Sequence, residues 1–128
     1  MVDVPYLRKT LEHITANPKE WNQRHYGVRS EECGTAYCVA GLVASWEGFT
    51  FRWAEVDFTG KEVIHEAVDA EGETWRVETA AQKALGLSRD QGEALFHADN
   101  DLFQLWSLAS VFTDGEIEIP EDVQVVES

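Results

Sequence analysis

Both cysteines of this chain lie in one short run, Cys33-Gly34-Thr35-Ala36-Tyr37-Cys38-Val39-Ala40-Gly41. A thiol that precedes or opens a helix gains thiolate character from the helix dipole, so either sulfur is a candidate nucleophile. A papain-like arrangement would add an upstream glutamine as a hydrogen-bond donor and a downstream histidine as the base. Gln23 and His97 supply these residue types in that chain order. If the protein is an enzyme, the candidate catalytic residues are therefore Cys33, His97 and Gln23.

The pattern around these residues argues against that chemistry. Gln23 lies ten residues before Cys33, and the chain lacks the Gly-Ser-Cys-Trp pattern typical of papain-like enzymes. Cysteine is also among the residue types most often buried, where it behaves as a small hydrophobic side chain. We therefore expect a structural motif in this run, formed by Cys33, Gly34, Thr35, Cys38, Ala40 and Gly41.

The same cysteines are weak candidates for a metal site. Together with His25 and His13 they could offer up to four ligands. A structural zinc site usually draws on a second clear ligand pair, whereas this chain has only two cysteines. Residues 97–101 lack the glycine and the terminal glutamate of a calcium loop. We expect no bound metal and no cofactor.

Acidic residues are concentrated at one end of the sequence. The formal net charge is −14, and no lysine or arginine follows Arg89, whereas ten acidic residues do. Direct binding to nucleic acid or to an anionic membrane is disfavoured, because phosphate attraction supplies most of that affinity. This pattern is typical of a solvated surface. It also fits a surface that meets a basic patch on another protein, with Asp99, Asp101, Trp53 and Trp75 as interaction candidates.

Helical spacing of apolar residues predicts most of the fold. Leu7, Leu11 and Ile14 share one helix face after an Asp3 cap, and Asn17-Pro18 ends that helix. A second helix is predicted to start near Thr35, whose hydroxyl can cap it. A glycine inside a helix costs about 1 kcal/mol relative to alanine, so Gly41 predicts a close approach by another element. Later helices are indicated over Val77–Leu85, after Ser88 and after Asp101.

Residues near 49–69 show a different pattern. Phe49, Phe51 and Trp53 alternate with polar or small residues, which indicates a strand, and Glu62–Asp69 could return as its partner. A short helix is the alternative for this second segment. Residues 116–128 are predicted to form an acidic extension, either an edge strand or a loosely docked tail. The fold class is thus α+β: a mainly helical single domain, residues 1–128, with four to five helices and a two-stranded β element.

The chain resembles a group of small uncharacterised proteins from actinobacteria and their bacteriophages. The shared residues are Trp21-x-Gln23, the run Cys33-Gly34-Thr35-x-x-Cys38-x-Ala40-Gly41, Ala84-Leu85-Gly86-Leu87 and Ala94-Leu95-Phe96. They span roughly the first three-quarters of the chain, and many such proteins carry a tryptophan where this one has Leu42. The resemblance implies a small, mainly helical, phage-encoded cytosolic protein, and it implies no known reaction.

These observations favour a non-enzymatic protein that binds a host protein through its acidic and aromatic surface. No apolar run is long enough to cross a bilayer, and the first residues lack the features of a secretion signal, so we expect a cytoplasmic protein. Two alternatives remain open. One is a cysteine hydrolase or transferase centred on Cys33, and the other is a DNA mimic that uses the acidic C-terminal face.

Overall fold

The computed structural model describes residues 2–23, 26–30, 34–56 and 61–124. Helices and strands alternate irregularly along these ranges. The helices are α1 (Val4–Ala16), α2 (Val39–Trp46), α3 (Val77–Leu85), α4 (Arg89–Leu95), α5 (Leu102–Phe112) and the short α6 (Glu121–Gln124), with a 3-10 turn over Pro18–Glu20. The strands are β1 (Gly27–Ser30), β2 (Gly34–Tyr37), β3 (Thr50–Glu55), β4 (Glu62–Val68) and β5 (Thr74–Trp75).

Local signals place the starts of α1, α4 and α5 where the sequence predicts them. The Asp3 side chain accepts a hydrogen bond from the N–H of Tyr6 at the start of α1. Gly86, with φ +71°, forms the left-handed residue that ends α3. Reciprocal capping boxes open the next two helices, pairing Ser88 with Gln91 in α4 and Asp101 with Gln104 in α5. The caps predicted for these helices are confirmed.

The sheet is larger than the sequence predicts. Within the described residues it has five antiparallel strands in the order β2-β1-β4-β3, and β5 also pairs with β4. Because β3 occupies one edge of β4, β1 and β5 share the other edge, at residues 62–63 and 67–68 respectively. The pairing of β3 with β4 is as predicted, with a register shift between Arg52 and Trp53. The prediction of a mainly helical fold with only a two-stranded element near residues 49–69 is wrong.

The second helix also begins later than predicted. Gly34 and Thr35 lie in β2, where they pair with Ser30 and Arg29 of β1. Strand pairing therefore uses the backbone that a Thr35 cap would need, and α2 starts at Val39 with Cys38 as its N-cap. The prediction that Thr35 caps this helix is wrong.

One hydrophobic core joins these elements. It contains side chains from α1 to α5 and from β4, among them Leu7, Leu11, Val43 and Leu105, all fully buried. Ile117 is fully buried as well, and its N–H donates to the Thr113 hydroxyl at 3.1 Å. The chain beyond α5 is therefore anchored up to this point. The predicted edge strand is wrong for residues 116–124, where the structure has the short helix α6 and no strand. The acidic extension over residues 116–128 stays a prediction, and residues 125–128 lie outside the described ranges.

Candidate functional site

Cys38 begins α2, and its sulfur is part of the cap. The backbone is extended there, and Sγ accepts a hydrogen bond from the N–H of Gly41 at 3.4 Å. Only 2% of the residue is exposed. Burial raises the pKa of the Cys38 thiol to about 11, because removal from water disfavours the charged thiolate; hydrogen bonds from the helix start offset this only in part. At neutral pH Cys38 is thus a neutral structural thiol.

Gly41 allows the chain that enters β1 to cross α2 at very short range. A Cβ atom at this position would overlap the carbonyl group of Tyr26 and lie 3.2 Å from Cδ1 of Tyr37. The predicted close approach at Gly41 is confirmed, and the approaching group is backbone, which cannot easily move aside. The Tyr26 hydroxyl then donates to Glu78 Oε2 at 2.5 Å, which ties this segment to α3.

A cleft of about 370 Å³ opens beside Cys38. It is lined by Gln23, Tyr26, Cys38, Val63, Ile64, Phe96 and Ala98. Gln23 cannot serve this cleft as a free donor, because its Nε2 donates to the carbonyls of Leu95 at 3.2 Å and His97 at 3.1 Å. Its Oε1 accepts from the Trp21 indole at 3.0 Å. The Gln23 amide therefore joins the chain before β1 to the end of α4.

The three candidate catalytic residues have different outcomes. Cys33 lies outside the described residues. His97 is exposed, and its Nδ1 accepts the N–H of Asp99 at 3.1 Å. Gln23 meets His97 only through the backbone carbonyl. Within the described part of the chain, no hydrogen bond joins the sulfur of Cys38 to the imidazole of His97, so this part shows no Cys–His pair.

The two candidate metal ligands that the structure describes, His13 and Cys38, have different surroundings. His13 Nε2 lies 3.2 Å from Glu20 Oε1, and its ring packs edge-on against Trp46. Cys38 is buried in the α2 cap, whereas His25 and Cys33 lie outside the described residues. Among the residues that the structure describes, no three His, Cys, Asp or Glu side chains come together in a group able to hold a metal ion.

The two tryptophans proposed as interaction candidates are half-buried on the sheet. The guanidinium carbon of Arg29 lies 4.0 Å from the ring centre of Trp53. The Trp75 indole donates to Asp69 Oδ2 at 2.8 Å, and Lys83 Nζ lies 4.9 Å from a ring centre of Trp75. Both rings already have partners within the chain, and their role as anchors for another protein remains a prediction.

The apolar surface lies instead on α5. Phe103 is 41% exposed and Val111 is 71% exposed, and they are the large hydrophobic side chains that stand out to solvent among the described residues. Neither residue was among the interaction candidates predicted from the sequence. A signal was present, because the eleven residues of α5 contain no charged side chain, whereas the outer face of a surface helix is usually charged or polar.

Carboxylates lie at both ends of α5. Asp99 and Asp101 precede the helix, and Asp114, Glu116 and Glu118 follow it; all five are exposed. Asp101 also caps the helix through Oδ1, at 2.8 Å from the N–H of Gln104. The two acidic interaction candidates therefore flank the exposed apolar helix face.

Comparisons of the chain with protein-family models, with curated proteins and with solved structures find no match. The resemblance of the Cys33 to Gly41 run to small actinobacterial and phage proteins thus remains a prediction. The assignment of a function rests on the geometry and the charge of the chain itself.

Proposed function

We propose that the protein acts without catalysis, by binding a basic surface of a host protein through its acidic C-terminal third. The observation that carries this proposal is the exposure of the carboxylates in a part of the sequence that contains no lysine or arginine. The exposed acidic residues after Arg89 are Asp90, Glu93, Asp99, Asp101, Asp114, Glu116, Glu118 and Glu121. Clustered charge of one sign attracts a partner of the opposite sign and accelerates its association.

At least three of these carboxylates contribute little to the stability of the fold or oppose it. Glu93 pairs with Arg89 at 3.5 Å, but both side chains are exposed, and such pairs contribute little. Asp114 and Glu116 follow the negative end of the α5 dipole, and the last turn of α5 has no basic residue. Negative charge at that end typically costs about 0.3 to 1 kcal/mol. Binding to a cationic partner offers a reason for charges that the fold does not require.

The resemblance to phage-encoded proteins supports a partner in the cytoplasm of an actinobacterial host. In the described residues, no helix has the length and apolar character that crossing a membrane requires. The neutral thiol of Cys38 and the fully engaged amide of Gln23 argue against nucleophilic catalysis at Cys38.

The test compares two variants of equal charge. One carries Asp99→Asn, Glu116→Gln and Glu118→Gln beside α5; the other carries Glu12→Gln, Glu55→Gln and Glu71→Gln at exposed sites elsewhere. Each change of three residues reduces the net charge from −14 to about −11. The wild type and both variants are immobilised, exposed to an actinobacterial lysate, and washed at increasing salt concentration.

We expect the wild type and the control variant to retain the same basic protein, and the variant beside α5 to lose it at lower salt. Added duplex DNA then distinguishes the modes of binding, because displacement by DNA identifies a DNA-binding site on the partner and supports the DNA-mimic alternative. Equal retention by the two variants, or no captured protein at any salt concentration, contradicts the proposal.

A further inference from the structure

The outward face of α5 carries exposed apolar side chains and no charged ones, which is unusual for a helix face in contact with water. Phe103 and Val111 lie two turns apart on this face, with Ser107 between them, and none of the three is charged. The opposite face, with Leu105, Trp106 and Ala109, is buried in the core. A helix that carries large apolar side chains on both faces is normally covered on both. We call Phe103, Ser107 and Val111 the α5 face.

We propose that the α5 face binds an amphipathic helix of the partner, whose apolar stripe lies on Phe103 and Val111 and whose lysines or arginines meet the flanking carboxylates. This inference rests on the proposed function and adds the surface and the chemistry of the partner. The α5 face places the small Ser107 between two larger side chains, at the spacing i, i+4 and i+8. Rows with this spacing are the ones that interdigitate when two helices pack.

Charge decides which occupant the α5 face takes. A second copy of this chain would bring the same carboxylates against one another, and nucleic acid or an anionic membrane would add further negative charge. An amphipathic basic helix satisfies both the apolar centre and the acidic ends, because Asp99 and Asp101 lie at one end of α5 and Asp114 and Glu116 at the other. The helix is about 16 Å long, so three turns of a partner helix cover it.

The size of the surface sets the kind of affinity to expect. A stable interface buries about 800 Å² on each partner. Phe103 is 41% exposed and Val111 is 71% exposed. Since a whole aromatic side chain offers about 150 to 250 Å², the exposed parts of the two residues together supply at most roughly a quarter of this area. This apolar area alone is too small to hold a stable complex. Binding must therefore depend on charge as well, and its affinity must fall as salt is added.

The experiment uses a defined probe. A synthetic peptide of about 18 residues, or five helical turns, carries leucines along one face and lysines on the other. A scrambled peptide of identical composition has the same charge and no apolar stripe. Binding of both peptides is measured by calorimetry against the wild type, Phe103→Ser/Val111→Ser and Phe103→Leu/Val111→Leu. Circular dichroism establishes that both variants remain folded, as expected for exposed positions.

We expect the wild type and the leucine variant to bind the amphipathic peptide about tenfold more tightly than the scrambled peptide, because exposed anchor residues contribute most of an interface's discrimination. The serine variant should lose this preference and keep only weak, salt-sensitive binding to both peptides. If the serine variant keeps the preference while the Asp99→Asn/Glu116→Gln/Glu118→Gln variant loses binding, the α5 face is wrong and the acidic binding function stands. If neither peptide binds the wild type, both proposals fail.

The same proteins test the competing occupant. Sedimentation of the wild type and the serine variant measures whether the α5 face joins two copies. We expect both proteins to sediment alike. A dimer of the wild type that becomes a monomer in the serine variant would overturn the proposal in favour of self-association.

Discussion

Cys38 has surroundings that differ from those of an activated cysteine. A reactive thiol needs exposure and nearby positive charge, which lower its pKa. The sulfur of Cys38 is instead enclosed, with one backbone N–H as a hydrogen-bond donor at 3.4 Å. This hydrogen bond caps α2, but it is too weak to compensate the thiolate form of Cys38 for the loss of contact with water. The residue therefore keeps its proton and contributes to structure.

Alkylation measures this state directly. In a Cys33→Ala variant, iodoacetamide should modify Cys38 of the folded protein at least about 100-fold more slowly than in the unfolded chain at neutral pH, because a pKa raised from 9.0 to about 11 reduces the thiolate fraction by that factor. The folded state holds the protonated form, so this contribution to stability is complete below pH 9 and is lost as the pH rises towards 11. Similar labelling rates in both states would contradict the assignment.

The elements show where local sequence signals suffice and where they do not. The caps of α1, α4 and α5 depend on residues three positions apart, so the sequence specifies them. Strands β1 and β2 have only four residues each and no clear alternation, and β1 also pairs with β4, which lies far along the chain. No local pattern reports such a distant partner. Because the pairing of β1 with β2 includes Thr35, the N-cap of α2 is Cys38 and not Thr35 as predicted.

The candidate site was predicted in part, for the same reason. The small side chains around Gly41 indicate that something approaches α2, and this much was correct. They do not say that it is the backbone of Tyr26, because that segment is fifteen residues away and its path is set by the sheet. The α5 face was missed because exposure of Phe103 and Val111 depends on what the rest of the molecule leaves uncovered.

Substitution of Gly41 tests the crossing of the chain over α2. Gly41→Ala should destabilise the protein by about 3 kcal/mol or more, because the new methyl group overlaps the Tyr26 backbone directly before β1. Gly92→Ala in α4 is the matched control, since its Cβ would meet only the flexible Gln82 side chain, at 3.3 Å. The gain in helix propensity should leave that variant at least as stable as the wild type. Urea denaturation measures both, and equal stability of the two variants would contradict the crossing.

At the scale of the whole molecule, excess negative charge opposes compaction. A net charge of −14 on 128 residues produces repulsion that is strongest in the C-terminal third, where no cation interrupts the carboxylates. The protein nevertheless keeps a hydrophobic core beneath the acidic surface of its C-terminal third, despite this repulsion. The proposed basic partner would relieve the repulsion on binding.

Added salt should therefore stabilise the free protein. At a physiological concentration of sodium chloride, repulsion between exposed charges more than about 8 Å apart is largely screened. Raising the salt from low to this concentration should raise the thermal midpoint by about 4 °C, equivalent to about 1 kcal/mol. The variant neutralised beside α5 should gain less from salt than the wild type. Differential scanning calorimetry gives both shifts. A midpoint that falls or stays constant with salt would show that repulsion does not limit stability.

Residues near the two ends of the described chain form hydrogen bonds with each other, and this affects how the protein folds during translation. Thr15 Oγ1 of α1 accepts from the Trp106 indole at 3.0 Å, and Arg8 Nη2 donates to the Glu116 carbonyl at 2.9 Å. A chain still attached to the ribosome has made α1 long before either partner emerges. The part of the hydrophobic face of α1 that packs against α5 stays uncovered until α5 has been translated, and chaperones can bind it during that delay.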